Sequence, residues 1–167
     1  MTYCPAAPAL VNPFLSWKDA SNYVLAPDGG LEAGGGSWTL TGGAAVVNLN
    51  ESYHVNGQAD GHSLFIPAGG SATTSTFCLD PSYPTMRFFV AGAQARVNVD
   101  VLYVDASGKA GWHQLGKVTP GMAWAPSPVL KLTDKAQQPV AQFRFSVDGT
   151  KGGVLVDDVY VDPFIRR

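Results

Sequence analysis

The sequence predicts an all-β protein: an antiparallel two-sheet β-sandwich of about eight to ten strands, with at most a short N-terminal helical turn. Three observations predict it. Short stretches of alternating apolar and polar residues recur along the 167 residues. They are punctuated by 19 Gly and 12 Pro, the residues that turn a chain sharply. No helix-period run separates them, which removes the βαβ rhythm of a parallel sheet. The length suits one domain and is enough to bury roughly 70% of the unfolded surface. Residues 1–27 read as an N-terminal tail packed on the domain and residues 28–167 as the sandwich, with no linker between them.

In chain order, the tail holds one candidate turn of helix at 12–22, with Pro13 and Ser16 favouring a capped start. Strands are expected at 37–40, 44–49, 62–66, 71–77, 86–91, 95–104, 111–117, 129–132, 140–148 and 153–161. The stretch 119–128, with three prolines and Trp124, reads as a long loop. Alternation sorts strand residues onto two faces. Val97, Val99, Val101 and Tyr103 oppose Arg96, Asn98, Asp100 and Leu102, and Phe143, Phe145 and Val147 oppose Gln142, Arg144 and Ser146. In the shorter strand, Arg87 and Phe89 alternate with Met86, Phe88 and Val90. If the three strands share a sheet, Arg87, Arg96, Asn98, Asp100, Gln142 and Arg144 form a polar stripe across its outer face.

Charged residues make up 14% of the chain, against the ~25% usual in soluble domains. Small and uncharged polar residues fill the difference, and no apolar run approaches the ~18–20 residues of a membrane span, so no membrane insertion is expected. With a net charge of −2 and no basic cluster beyond Arg166-Arg167, no nucleic-acid partner is expected either. Cys4 and Cys78 are the whole thiol inventory and fit no zinc or CxxC spacing. A Cys4–Cys78 disulfide would pin the tail, contributing about 4 kcal/mol in the chain-entropy account. It implies an oxidising location, so a secreted protein is expected, with Met1 standing before a mature start and the signal peptide absent.

Two stretches carry carboxylates where a plain strand would carry Val or Thr: 28–38, Asp-Gly-Gly-Leu-Glu-Ala-Gly-Gly-Gly-Ser-Trp, and 154–162, Val-Leu-Val-Asp-Asp-Val-Tyr-Val-Asp. The first contains Gly30-Leu31-Glu32-Ala33-Gly34 and leads into Trp38-Thr39-Leu40; the second contains Val156-Asp157-Asp158-Val159. Together they resemble the opening and closing motifs of galactose-binding-like jelly rolls, most of all the xylan- and glucan-binding carbohydrate modules. Leu31 stands where those modules usually carry Phe. The resemblance implies a structural calcium ion held by Glu32, by Asp157 or Asp158, and by backbone carbonyls. Calcium takes six to eight oxygens at about 2.3–2.6 Å, and a glycine-rich approach frees carbonyls to turn inward. Adjacent Asp residues in a regular strand face opposite sides, so one of the pair is expected inward. Asp28 and Asn50 are weaker candidates.

No enzyme is expected. His54, His62 and His113 are the only imidazoles, and a Ser52/His54/Asp60 set has no nucleophile elbow to fix it. Sugar binding needs aromatic platforms and planar polar side chains. Trp112 and Trp124 are the leading platforms, with Tyr53, Tyr83 and Trp17 behind them, while Trp38 reads as core. The stripe supplies polar partners. In the resembled modules the ligand lies in a cleft across the concave sheet. The expected function is therefore non-catalytic binding of a carbohydrate or cell-surface glycan, with Arg96, Asp100 and Arg144 hydrogen-bonding it and Trp112 or Trp124 stacking on it. The alternative is an extracellular structural, adhesion or assembly protein with a protein partner, which the low charge and the Ala, Gly, Ser and Thr content also suit.

Overall fold

An amphipathic strand is stable only with its apolar face against another layer, and among the described residues thirteen short strands achieve this as two antiparallel sheets packed face to face. The computed structural model describes residues 9–78, 85–104, 107–132 and 140–162; Cys4 and Tyr83 lie outside them. One sheet has seven strands: β1 (Val24–Leu25), β3 (Ala45–Val47), β4 (Ser63–Pro67), β7 (Thr85–Ala93), β10 (Ala125–Pro126), β11 (Leu130–Lys131) and β13 (Gly153–Asp162). The other has six: β2 (Thr39–Thr41), β5 (Ser71–Thr73), β6 (Phe77–Cys78), β8 (Arg96–Val104), β9 (Ala110–Val118) and β12 (Val140–Asp148). The first runs β10-β7-β13-β4-β3, with β1 also on β13 and β11 also on β7; the second runs β2-β5-β12-β8-β9, with β6 on β12. The expected antiparallel sandwich is the fold that forms. Among the described residues no helix is long and apolar enough to cross a membrane.

The alternating residues of both sheets interdigitate as one core. Val97, Val99, Val101, Phe143, Phe145 and Val147 meet Leu64, Ile66, Phe88, Val90, Val154 and Val156, all buried. Phe88 and Phe145 bridge the layers edge to face at 5.2 Å, and Trp38 stacks on Phe145, so its expected place in the core holds.

One expectation is corrected. β7 belongs to the seven-stranded sheet, between β10 and β13, so Arg87 is not part of a stripe with β8 and β12. Its outward residues, Arg87 and Phe89, lie beneath the N-terminal segment. There Phe14, Tyr23, Phe89 and Tyr160 form a second, smaller cluster on the far side of that sheet. The segment is held by a Val11–Tyr23 bridge and by β1 on β13. Its helix shrinks to a single 3-10 turn, Leu15–Trp17, which ends at Lys18 in the left-handed region. The 119–128 stretch includes an edge strand, β10, where Pro126 is tolerated because its missing N–H faces no partner.

Two glycines in the turn between β12 and β13 separate backbone strain from steric fit. Gly149 (φ +102°) has open space around its Cβ position, whereas a Cβ on Gly152 (φ +75°) would sit 2.1 Å from the Ala93 carbonyl oxygen. Gly149→Ala is expected to cost about 1–2 kcal/mol from conformation alone. Gly152→Ala is expected to cost clearly more in urea unfolding, and equal losses would contradict the close approach of the chain there.

Candidate functional site

The outer face of the six-stranded sheet gathers most of the polar candidates. Cross-strand register places Thr39, Thr73, Arg144, Asp100 and Gln114 in one row and Thr41, Ser71, Ser146, Asn98 and Lys117 in the next. Arg144 donates through Nε and Nη2 to Asp100 Oδ2 at 3.2 and 3.0 Å. Its guanidinium also lies 4.1 Å from the centroid of the Trp112 ring, a cation–π contact that reaches across β8. Trp112, on edge strand β9 and 37% exposed, thus supplies the aromatic ring beside the stripe. Gln142, opposite Leu102 and in the same row as Trp112, donates to the Thr74 carbonyl. Asn98 donates to Asp148 Oδ1 at 2.7 Å, while Arg96 reaches Asp148 Oδ2. The Asn98 contact, with Arg96 and Lys117 nearby, holds the Asp148 carboxyl below its ordinary range.

Lys117, Gln114 and Asp148 were not among the residues singled out. β9 shifts register opposite Val99 and Asp100, so its outward residues change from even to odd numbers between Gln114 and Lys117. Simple alternation hides that change.

The other candidates lie elsewhere. Arg87 forms a nearly buried ion pair with Asp19 (2.9 Å; 11% and 10% exposed), caps the Ser127 carbonyl and covers the Phe14 ring. Burial acts to raise the Asp19 pKa, but bonds from Tyr23, Ser21 and Arg87 outweigh it and bring it to about 2. Trp124 packs on the Phe14 cluster, and its carbonyl accepts the Tyr53 hydroxyl. Tyr53 and Trp17 meet edge to face on that same side.

A second polar centre forms where β13 breaks. Both Asp157 and Asp158 are fully buried, although Asp157 does not face the core between the sheets. The register with β7 slips between Asp157 and Tyr160, and Asp158 adopts φ +50°. The extra residue lets Val159 join the core while Asp157 stays on the outward side opposite Phe89. Asp157 is used internally: its oxygens accept the N–H groups of Glu51 and Asp158. Asp158 Oδ1 accepts from Asn56 Nδ2, and Asn56 Oδ1 accepts the Tyr160 hydroxyl. Glu51, buried, accepts the N–H groups of Tyr53 and Val55. Glu32 is partly exposed and accepts the Gly61 and His62 N–H groups, with His62 Nδ1 at 2.8 Å. Asp28 closes its own loop by accepting from Ala33 and Gly35. The first motif meets the last strand through backbone, Val159 N–H to Gly29 O at 3.0 Å, where a Cβ on Gly29 would lie 2.7 Å from the Val159 carbonyl oxygen.

Over 81% of its length the chain is similar to the enzymatically active domain of Bacteriophage CBA120 tailspike protein 4 (TM-score 0.61, 17% identity), spanning only 21% of that chain. It is similar to TmCBM61, solved in complex with β-1,4-galactotriose (TM-score 0.56, 17% identity, 82% of this chain and 96% of that one). A third likeness is the CBM22-1 xylan-binding domain of Paenibacillus barcinonensis Xyn10C (TM-score 0.55, 13% identity, 78% and 87%). No protein-family model and no curated protein matches the chain. The fold is a galactose-binding-like jelly roll.

Within this jelly roll the carboxylate centre has the donor chemistry of a hard-cation site. Among the described residues, Asp158 Oδ2, Asp60 Oδ2 and Asn50 Oδ1 are buried without a hydrogen-bond partner. Gly30 leaves a cradle there: its absent Cβ would lie 3.1 Å from Asp158 Oδ1 and 4.0 Å from Asp60 Oδ1. Among the described residues no three His, Cys, Asp or Glu side chains are arranged to hold a metal by themselves. Asp158 and Asp60 would therefore need amide and backbone carbonyl oxygens to complete a shell, which is how calcium is commonly bound. Burial, then the neighbouring Asp158 charge, pushes Asp157 up to about 9. Burial, then Asp60 and Glu51, pushes Asp158 up to about 8, and burial with Glu32 raises Asp60. Burial also opposes ionisation of Glu32, but the bonds from His62 and Gly61 outweigh it and lower its pKa.

These shifts fix a sign. A carboxyl raised in the folded state keeps a proton that the unfolded chain has already released, so stability falls as pH climbs between the two values. In a chelating buffer the melting temperature of the jelly roll is expected to fall as pH rises from about 5 to about 9. Asp158→Asn is expected to flatten that slope. A wild-type melting temperature that rises over this window would contradict the buried, protonated cluster.

Proposed function

We propose that this jelly roll is a secreted, non-catalytic module that binds a polysaccharide on the outer face of its six-stranded sheet, and that calcium neutralises its carboxylate centre. One observation carries the binding reading: the exposed Trp112 ring, stacked with Arg144, sits on a face otherwise lined by amide, hydroxyl and charged groups. An aromatic plane suits the apolar face of a sugar ring, and the Arg144–Asp100 pair offers directional donors and acceptors for its hydroxyls. Solved structures of similar fold include a module in complex with β-1,4-galactotriose and a xylan-binding domain, which supports the same ligand class.

The non-catalytic reading is supported by how the carboxyls are used. Asp157 and Asp158 are fully buried, and Asp100 is committed to Arg144, so none is an accessible acid or base for a bound substrate. The secreted reading draws on the two cysteines; Cys78 ends β6, and its proposed bridge to Cys4 involves a residue outside those described. A protein partner is the second reading. It is favoured by an open apolar recess of about 610 Å³ on the seven-stranded sheet, lined by Val47, Leu49, Phe65, Leu155 and Met122.

Affinity electrophoresis in xylan and in β-1,4-galactan tests the first reading. The wild-type protein is expected to be retarded by at least one of them, and Trp112→Ala or Arg144→Ala to weaken that binding at least about tenfold. Trp124→Ala, remote from the face, serves as the comparison. Unchanged retardation of Trp112→Ala, with its melting temperature preserved, would overturn the assignment. For the ion, calcium added to chelator-treated protein is expected to raise the melting temperature and to do so far less in Asp158→Asn. No response in the wild type would remove calcium from the proposal.

A further inference from the structure

In a chain of net charge −2, the outer face of the six-stranded sheet carries the opposite sign. Its described ion pairs involve three cations, Arg96, Lys117 and Arg144, and two carboxylates, Asp100 and Asp148. Arg144 and Asp100 satisfy each other through two donors on one oxygen. Asp148 is shared. Its Oδ2 lies 3.4 Å from Arg96 Nη2 and 3.8 Å from Lys117 Nζ, and the three side chains are 44–48% exposed. Both contacts are long for charge-assisted hydrogen bonds, which run about 2.7–2.9 Å. Two cations therefore face one carboxylate, and each keeps N–H donors to spare.

Two further features distinguish this corner from a solvated charge ladder. A recess of about 390 Å³ opens there, walled by Gln94, Arg96, Thr119 and Asp148 among others. Asn98, only 9% exposed, holds a buried Oδ1 that no group among the described residues satisfies. The recess brings together Arg96 and the shared carboxylate of Asp148, and Lys117 reaches that carboxylate from outside the lining. The spare donors of the two cations match an acidic sugar, whose carboxylate takes them. Arg96 lies six residues along β8 from Leu102, the partner of Trp112, or about 20 Å at strand rise. A ligand that engages both is an oligosaccharide, not a single sugar.

We infer that the polysaccharide recognised by this face bears carboxylates, with a uronic-acid unit at the recess beside Arg96 and its carboxylate drawn by Arg96 and Lys117. This rests on the glycan reading of the face and adds the class of glycan. The ligand carboxylate competes only with the loose Asp148 contacts and leaves the tighter Arg144–Asp100 pair intact. Half-exposed ion pairs of this kind weaken as salt screens them.

The test compares glucuronoxylan with the same polymer after its carboxyls are reduced to alcohols, and with dextran sulfate as a plain polyanion. Affinity gels at low and high salt are run for the wild-type protein, the Arg96→Gln/Lys117→Gln double variant and Trp112→Ala. The wild type is expected to bind glucuronoxylan at least about tenfold more tightly than its reduced form, with the difference shrinking at high salt. The double variant is expected to lose that difference, and Trp112→Ala to bind both polymers poorly. Equal wild-type binding to the acidic and reduced polymers overturns this inference and leaves the glycan reading intact. Binding to dextran sulfate as strong as to glucuronoxylan, and unchanged in Trp112→Ala, also overturns it, as unselective attraction to polyanions. Retention on no polysaccharide overturns both.

Discussion

Strand β13 runs through the middle of the seven-stranded sheet with two consecutive carboxylates, and no regular strand can hold them there. Strict alternation would send Asp158 into the apolar core and Val159 away from it, exchanging a favourable burial for a charged one. The bulge at Asp158 resolves the conflict at the cost of one left-handed residue, a conformation Asp tolerates better than most. Much of the molecule follows from that residue. Val159 fills the core, Asp157 caps the start of the Glu51 turn, and Tyr160 returns to the outward side to pack under Phe14. Gly29 can then approach the Val159 carbonyl, tying the opening loop to the closing strand through backbone.

The two sheets divide their outer faces between different tasks. The seven-stranded sheet is partly closed by the N-terminal segment, whose Asp19 clasps Arg87 and whose Phe14 and Tyr23 complete an aromatic cluster. The six-stranded sheet keeps its polar rows open. Its one prominent ring, Trp112, is oriented by the guanidinium of Arg144 from two strands away. That arrangement fixes a planar side chain on an edge strand, where a lone Trp would otherwise sample several rotamers.

The fold was readable from the sequence because burial on one face writes itself as period-2 alternation, as in Val97–Val101 and Phe143–Val147. The glycine-rich opening and the Asp-Asp strand marked the ends of the jelly roll by their resemblance to the motifs of galactose-binding-like modules, not by periodicity. What local pattern could not reveal was partnership. Nothing in residues 86–91 says that β7 pairs with β13 instead of β8, so alternation alone groups Arg87 with residues that it never meets. Register slips did the rest: one in β9 concealed Lys117, and one in β13 buried both Asp157 and Asp158. Asp60 and Glu51 joined the carboxylate centre through a long loop, and loop trajectories leave no periodic signal.

The pairing of β1 with the far end of β13 has a consequence for how the domain can be wired into a larger assembly. Val24 lies beside Val161, and Val11 beside Tyr23, so the incoming and outgoing chain run side by side at one pole of the sandwich. A sandwich whose entering and leaving strands pair in this way can be spliced into a loop of another protein without prying that loop apart. Grafted so, residues 9–162 would behave as a plug-in cassette.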